Sequence, residues 1–198
     1  MCPGGYVVNS SSTNGALAIN GMSYHKRDSE NANSAIIVTI NKDDFGSLPL
    51  DGIKYQEELE TKFYNACNGK IPVQLYGDFK MNRDSIEFKD VKPLFKGDYE
   101  FYNLRKAFPD YISSSLVEAI ENMSKKIKSF NRDDAIIAGI ESRTSSPIKI
   151  IRNDEFESNI SGIYPCGEGA GYAGGITSSA IDGIKVANQI ISKYKGVN

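Results

Sequence analysis

The chain of 198 residues has no tryptophan, a single histidine and only three cysteines. Its longest apolar runs, such as Ala35 to Ile40, fall far short of the roughly 20 residues needed to span a bilayer. The N-terminus lacks the apolar core of a signal peptide, so the expected location is the cytoplasm and no membrane attachment is implied. An excess of either charge is also missing: 23 Lys plus Arg stand against 25 Asp plus Glu, for a formal net charge of −2. With no basic field to gather phosphates, the composition speaks against a general nucleic-acid binder. Cys2, Cys67 and Cys166 are far apart and odd in number, which implies no disulfide framework. With His25 as the only imidazole and no CxxC pair, neither a structural zinc site nor a Cys–His catalytic pair has support. Cys67 reads as a small buried hydrophobe and His25 as a surface side chain.

What remains is an ordinary globular composition, 40% hydrophobic and 24% charged, long enough to bury a core. Tyr6 to Asn9 and Ala16 to Asn20 flank the turn-rich Ser10 to Gly15, which predicts a hairpin, followed by a polar loop from Met22 to Asn33. Ser34 to Ile40, rich in β-branched residues, predicts a strand. Leu59, Phe63, Ala66 and Cys67 recur at helical spacing within Ile53 to Asn68, and Gly69 sits where a helix end favours a left-handed residue. Ile71 to Tyr76 and Ser85 to Phe88 read as strands, with turn formers from Gly77 to Arg83 between them. In a second helix Leu116, Ile120, Met123 and Ile127 form one stripe and Ser115 with Glu118 has capping-box spacing. Lys125, Lys126 and Lys128 complement the dipole at its end.

After Phe130 the character changes. Ala135 to Ile140 and Ile148 to Ile151 are nearly continuous apolar runs, as expected of strands covered on both faces. A third run, Gly162 to Cys166, leads into Gly167-Glu168-Gly169-Ala170-Gly171-Tyr172-Ala173-Gly174-Gly175-Ile176 and then a final helix, whose Ile176, Ala180, Ile184, Ala187 and Ile191 form an apolar stripe. Gly169 to Gly174 spells GxGxxG. A glycine-rich loop feeding a helix N-terminus suits an anion, because the first-turn N–H groups lack partners and missing side chains let a phosphate approach. The chain ends before the second strand and acidic residue that a dinucleotide fingerprint requires, so this loop does not open a complete Rossmann unit. Glu168 at the run's end suits hydrogen bonds from sugar or polyol hydroxyls. On the residues alone, phosphate or nucleotide binding and a tight packing turn with a capping Glu both fit.

Four stretches carry a family resemblance: Cys2 to Gly5 with Asn20 to Ser23, Asn31 to Ala35, Gly139 to Pro147 (GIESRTSSP), and Gly162 to Gly183. In these the chain resembles the C-terminal part of the uncharacterised FAD-dependent dehydrogenases, the NAD(FAD)-utilizing dehydrogenase family, related to the wider glutathione-reductase-like flavoproteins. The resemblance implies FAD as cofactor and NADH or NADPH as electron donor. It assigns FAD contacts to Gly167, Glu168, Gly169, Gly171, Gly174, Gly175 and Ile176, with Glu168 toward the ribityl or pyrophosphate region. Arg143, Thr144 and Ser145, with Ser146, are assigned to a place near the flavin or its substrate; Asp182 and Gly183 are assigned a structural role.

Nothing in Met1 to Tyr64 resembles the nucleotide-binding βαβ unit with which family members begin, so the expectation is a C-terminal portion whose FAD affinity alone is poor. The expected fold is mixed α and β. Residues 1–130 would form an inserted, β-rich, substrate-side domain with two helices, and 131–198 the returning strands and last helix of a glutathione-reductase-like FAD-binding domain. The functional expectation is a portion of a flavoprotein oxidoreductase acting on a small molecule. The alternatives are a non-catalytic module that dimerises or pairs with a separate FAD-binding half, and a general anion site for a mononucleotide or sugar phosphate. His25, Tyr172 and Cys166 have the chemistry of proton donors or acceptors, but no residue is assigned as general acid or base.

Overall fold

The computed structural model describes residues 2–195. In chain order its elements are β1 (Cys2–Pro3), β2 (Gly5–Asn9), β3 (Ile19–Ser23), β4 (Ala32–Asn33), α1 (Lys42–Phe45), α2 (Asp51–Ala66), β5 (Ile71–Leu75), α3 (Tyr76–Lys80), β6 (Phe95–Lys96), β7 (Tyr99–Phe101), α4 (Asp110–Ser124), β8 (Ile136–Ala138) and α5 (Ile176–Tyr194), with a 3-10 turn at Leu104–Lys106. The fold is mixed α and β with small mixed sheets. The chain divides into two compact units, one of residues 1–41 and 55–142, the other of 42–54 and 143–198. The composition boundary after Phe130 lies ahead of this division because β8 hydrogen-bonds to β5.

In the first unit, β2 pairs antiparallel with β3, Gly5 opposite Ser23 and Asn9 opposite Ile19, while β6 adds parallel to β2. The predicted hairpin forms, but its second strand starts at Ile19, and Ala16 to Ala18 are buried ahead of it. A second sheet has β5 at its centre, parallel to β7 and antiparallel to β8. All five β5 residues are buried, as a strand flanked on both sides requires. Helices α2 and α4 supply Phe63 and Ile120 to a core completed by Leu17, Tyr76, Phe79, Leu104, Ala107 and Ile140. Gln74 is fully buried yet satisfied, donating to the Arg83 carbonyl at 2.6 Å and accepting the Leu104 N–H at 2.9 Å. Cys67 is buried as expected, and burial pushes its thiol up to about 11. His25 is exposed.

Several expected elements are absent or displaced. Ser34–Ile40, Ser85–Phe88, Ile148–Ile151 and Gly162–Cys166 form no strand. Ile37, Ile86, Ile151 and Ile163 are exposed, and a β-branched run without a neighbouring edge has nothing to complete its hydrogen bonds. Of the turn formers from Gly77 to Arg83, those up to Lys80 lie in α3, which follows β5 directly, and Met81 and Asn82 form a turn after it. Helix α4 begins at Asp110 after Pro109, so Ser115 and Glu118 are interior residues and not its cap.

The second unit has no strand among its described residues. Besides α1 and the first residues of α2 it holds α5 and the irregular chain of 143–175, and polar side chains tie these last two together. Glu157 accepts the Gly162 N–H and the Lys193 ammonium, both at 2.6 Å. These bonds, the Gly162 amide first, hold its carboxyl down at about 2. On α5 the partly or fully buried side runs through Ser179, Asp182, Gly183, Val186 and Ile190. The apolar stripe read from the sequence faces outward: Ile176, Ala180, Ile184, Ala187 and Ile191 are all exposed.

Candidate functional site

The glycine segment is a chain of tight turns leading into the longest helix. Gly167 (φ +71°) and Gly171 (φ +80°) adopt left-handed backbone that glycine alone enters cheaply. The Gly167 carbonyl accepts the Tyr172 N–H at 3.0 Å and the Glu168 carbonyl accepts the Gly171 N–H at 2.9 Å. The helix then starts at Ile176, with Gly175 extended and its N–H donating to Ser178 Oγ at 3.1 Å. Backbone N–H groups of the first α5 turn have no acceptor within the helix.

The glycines separate into two kinds. A Cβ on Gly171 would stand 2.4 Å from the Ile148 carbonyl oxygen and 2.9 Å from Lys149 Cα, so this glycine serves the packing of the loop against residues 148–150. A Cβ on Gly169 or Gly174 would meet nothing within 4 Å. Those two positions leave the backbone open to an approaching group. Glu168 is exposed and Ile176 is 94% exposed.

The GIESRTSSP segment comes to the same place through Ser146, whose hydroxyl donates to the Gly169 carbonyl at 3.1 Å. Arg143, Thr144 and Ser145 are exposed, and of the hydroxyl-bearing residues in this segment Ser146 is the one that touches the glycine loop.

Arg152 and Ser179 carried no signal in the sequence. Arg152 forms a two-pronged ion pair with Asp182 of α5 at 2.7 and 2.9 Å, and this guanidinium holds the Asp182 carboxyl down at about 2. The Ser179 hydroxyl, in the first turns of α5, is enclosed and without a hydrogen-bond partner, and its Cβ would lie 3.8 Å from a Cβ on Gly167. Only a three-dimensional arrangement marks it, since a Ser in a helix is unremarkable in one dimension. The Cys166 thiol is exposed.

Elsewhere, the first unit has a cleft of about 430 Å³ lined by Leu75, Gly77, Asp78, Lys80, Arg83 and Asp133 among others. Its charges are largely engaged within the wall: Asp78 accepts from Arg83 at 3.0 Å and from Ser85 at 2.7 Å, and Arg132 pairs with Asp134. Among the described residues no group of three His, Cys, Asp or Glu side chains is placed to hold a metal ion, and no helix is long and apolar enough to cross a membrane.

Comparison with known proteins gives two results. Residues 1–144 match the family described as FAD-dependent protein, C-terminal domain-like. An uncharacterized protein of Clostridium beijerinckii is 51% identical over 198 residues, covering 98% of this chain. The chain spans 37% of that relative's length. The family match ends two residues beyond the division between the compact units at Ser142, so that, apart from residues 42–54, it coincides with the first unit. By this match the chain belongs to the FAD-dependent protein, C-terminal domain-like family.

Proposed function

We propose that this chain is the C-terminal portion of a flavoprotein oxidoreductase and that its glycine loop and α5 N-terminus supply part of the FAD site. The observation that carries the reading is the pair of open glycines, Gly169 in the loop and Gly174 two residues ahead of a 19-residue helix. What supports the fit is that no side chain or neighbouring atom blocks the backbone at these glycines, that the Ser179 hydroxyl is enclosed without a partner, and that first-turn N–H donors lie at the helix start. Gly174 and Ile176 would hold a phosphate through their N–H groups, with Gly175, whose N–H is taken by Ser178 Oγ, holding the turn between them, and the exposed Glu168 would accept hydrogen bonds from ribityl or ribose hydroxyls. Bound FAD supplies hydride or electron transfer, with NADH or NADPH as donor. In this reading the part before about residue 130 lies toward the substrate, and Thr144, Ser145 and Arg143 lie near the flavin. Because the matched relative is much longer, the complete site draws on chain beyond this portion.

Titration of the purified chain with FAD, followed by absorbance and flavin fluorescence, tests this reading. Binding that is weakened by Glu168→Ala and by Gly174→Ala supports it. Gly174→Ala is the sharper variant because its Cβ meets no protein atom, so the fold is kept while a methyl group is set beside the backbone that a phosphate would approach. Equal affinity for ADP and FAD would turn the reading to a general anion site, and indifference to both removes it for this chain.

A second reading has its own observation: the outward stripe of α5, with Ile184 61% exposed and Ile191 50% exposed. Contiguous apolar surface of this kind marks an interface. Here the chain is a module without its own activity that pairs with the polypeptide corresponding to the remainder of the longer relative. Mixing the chain with that remainder should give a complex that Ile184→Asp abolishes. A complex insensitive to Ile184→Asp, or none, overturns it, and concentration-dependent self-association would replace the partner with a second copy.

A further inference from the structure

The open glycine loop is a segment that should be costly to keep in one conformation, since glycine loses more backbone freedom on ordering than any other residue. It is nonetheless tied at several points to a single guanidinium. Arg152, whose side chain is 9% exposed, donates through Nη1 to the Pro165 carbonyl at 2.7 Å and to Asp182 Oδ2 at 2.9 Å, and through Nη2 to Asp182 Oδ1 at 2.7 Å. Its Cζ lies 3.6 Å from the centre of the Tyr172 ring and 4.7 Å from that of Phe156. The Tyr172 hydroxyl accepts the Arg152 N–H at 3.2 Å and donates to the Ile150 carbonyl at 3.1 Å. The start of the loop at Pro165, its far side at Tyr172 and the helix that follows are therefore gripped together. Asp182 adds one more bond: Oδ2 also accepts the Gly167 N–H at 2.9 Å.

We infer that Arg152 and Asp182 are positioning residues of the glycine loop. The pair fixes the Gly167 turn against α5 before any ligand arrives, and Asp182 engages the Gly167 N–H as Ser178 Oγ engages that of Gly175, so that the donors left for an anion are those of Gly174 and the first turn of α5. Ordering the loop in advance removes an entropic cost from ligand binding. A pair that merely stabilised the second unit would need only opposite charges in contact. The shared Oδ2 ties the charge to one backbone amide, and that is the feature a general stabilising role does not require.

This inference rests on the proposed FAD site, and its test separates the two. Amide hydrogen exchange by NMR reads the Gly167 N–H directly, whether or not a cofactor binds, and FAD affinity is measured beside it. Asp182→Asn keeps the side chain's size but removes its charge. It should speed Gly167 exchange and weaken FAD binding, each by about tenfold, as the loss of a charge-assisted bond implies. The exchange Arg152→Asp with Asp182→Arg restores an ion pair but moves the carboxylate away from Gly167. It should recover thermal stability relative to Asp182→Asn while leaving the Gly167 amide unprotected and FAD binding weak. Unchanged Gly167 exchange in Asp182→Asn overturns the inference, even where the double variant does not fold. Recovery of protection and affinity together in the double variant overturns it equally, since the pair is then only a general support. A wild-type chain with a protected Gly167 amide and no FAD binding would remove the cofactor reading while leaving the clamp in place.

Discussion

The two units of this chain are built from similar residues and held by different means. Of the buried aliphatic, aromatic and cysteine side chains, the first unit holds all but Ala170 and Val186. The second unit has Ile150, Ile151, Ile160, Ile163, Ile176, Ile181, Ile184 and Ile191 at its surface, and its order comes from Arg152 with Asp182, Glu157 with Lys193 and Gly162, and Tyr172 with the backbone. One unit is a hydrophobic core with satisfied polar groups inside it. The other is a polar scaffold under an apolar exterior, the reverse of what a free-standing domain of its size adopts.

The comparison is most exposed to the same substitution made in each unit. Ile71→Ala, at a fully buried position in β5, should lower unfolding free energy by about 2–5 kcal/mol, and Phe63→Ala by about 3–5 kcal/mol. Ile184→Ala on the α5 stripe should change it by less than about 0.5 kcal/mol. Urea unfolding followed by circular dichroism measures all three; a loss at Ile184 as large as that at Ile71 would mean that the stripe is covered in the free chain.

A smaller effect contrasts two glycines within the second unit. Gly171→Ala places a Cβ on the Ile148 carbonyl and in left-handed backbone, which should cost on the order of 1–3 kcal/mol. Gly174→Ala should leave thermal stability unchanged or slightly raised. Melting temperatures of the two variants decide this, and equal losses would contradict the division of the loop into packed and open positions.

The mildest test is acid. The Asp182 and Glu157 carboxyls are both held at about 2 in the folded chain, against about 4 in an unfolded one. Their contribution is therefore complete above about pH 4 and fades as the pH falls toward 2, because the unfolded chain then binds more protons than the folded one. NMR signals of α5 should broaden or shift over this range before those of β5, whose burial involves no carboxylate of its own. Simultaneous loss would show that the polar ties of the second unit are not what orders it.

This difference also explains what could be read from the residues. Helices α2 and α5 were legible because 3.6-residue periodicity is local, and β5 because Ile71 to Leu75 is apolar and bounded. The strands expected at Ser34–Ile40 and Ile148–Ile151 were not formed because an apolar run specifies a strand only when another edge meets it, and edges are set by topology. Helix α3 was hidden by Gly77 and Asp78, which also suit turns. At the candidate site the glycine pattern was visible, and so was its proximity to GIESRTSSP. Which glycines pack and which stay open was not, since that depends on where Ile148 and Lys149 pass. The role of Arg152 was equally silent, because an arginine between Ile151 and Asn153 gives no hint of a carboxylate thirty residues on.

The outward stripe of α5 has a consequence for the life of the polypeptide. Five alanine and isoleucine side chains in a row along one helix form the kind of greasy ridge that chaperones, hydrophobic dyes and phenyl-bearing resins recognise. With that ridge exposed, the chain should be retained on such a resin and held in solution only at modest concentration. A dye signal that falls when a second polypeptide is added would be the mark of that ridge becoming covered.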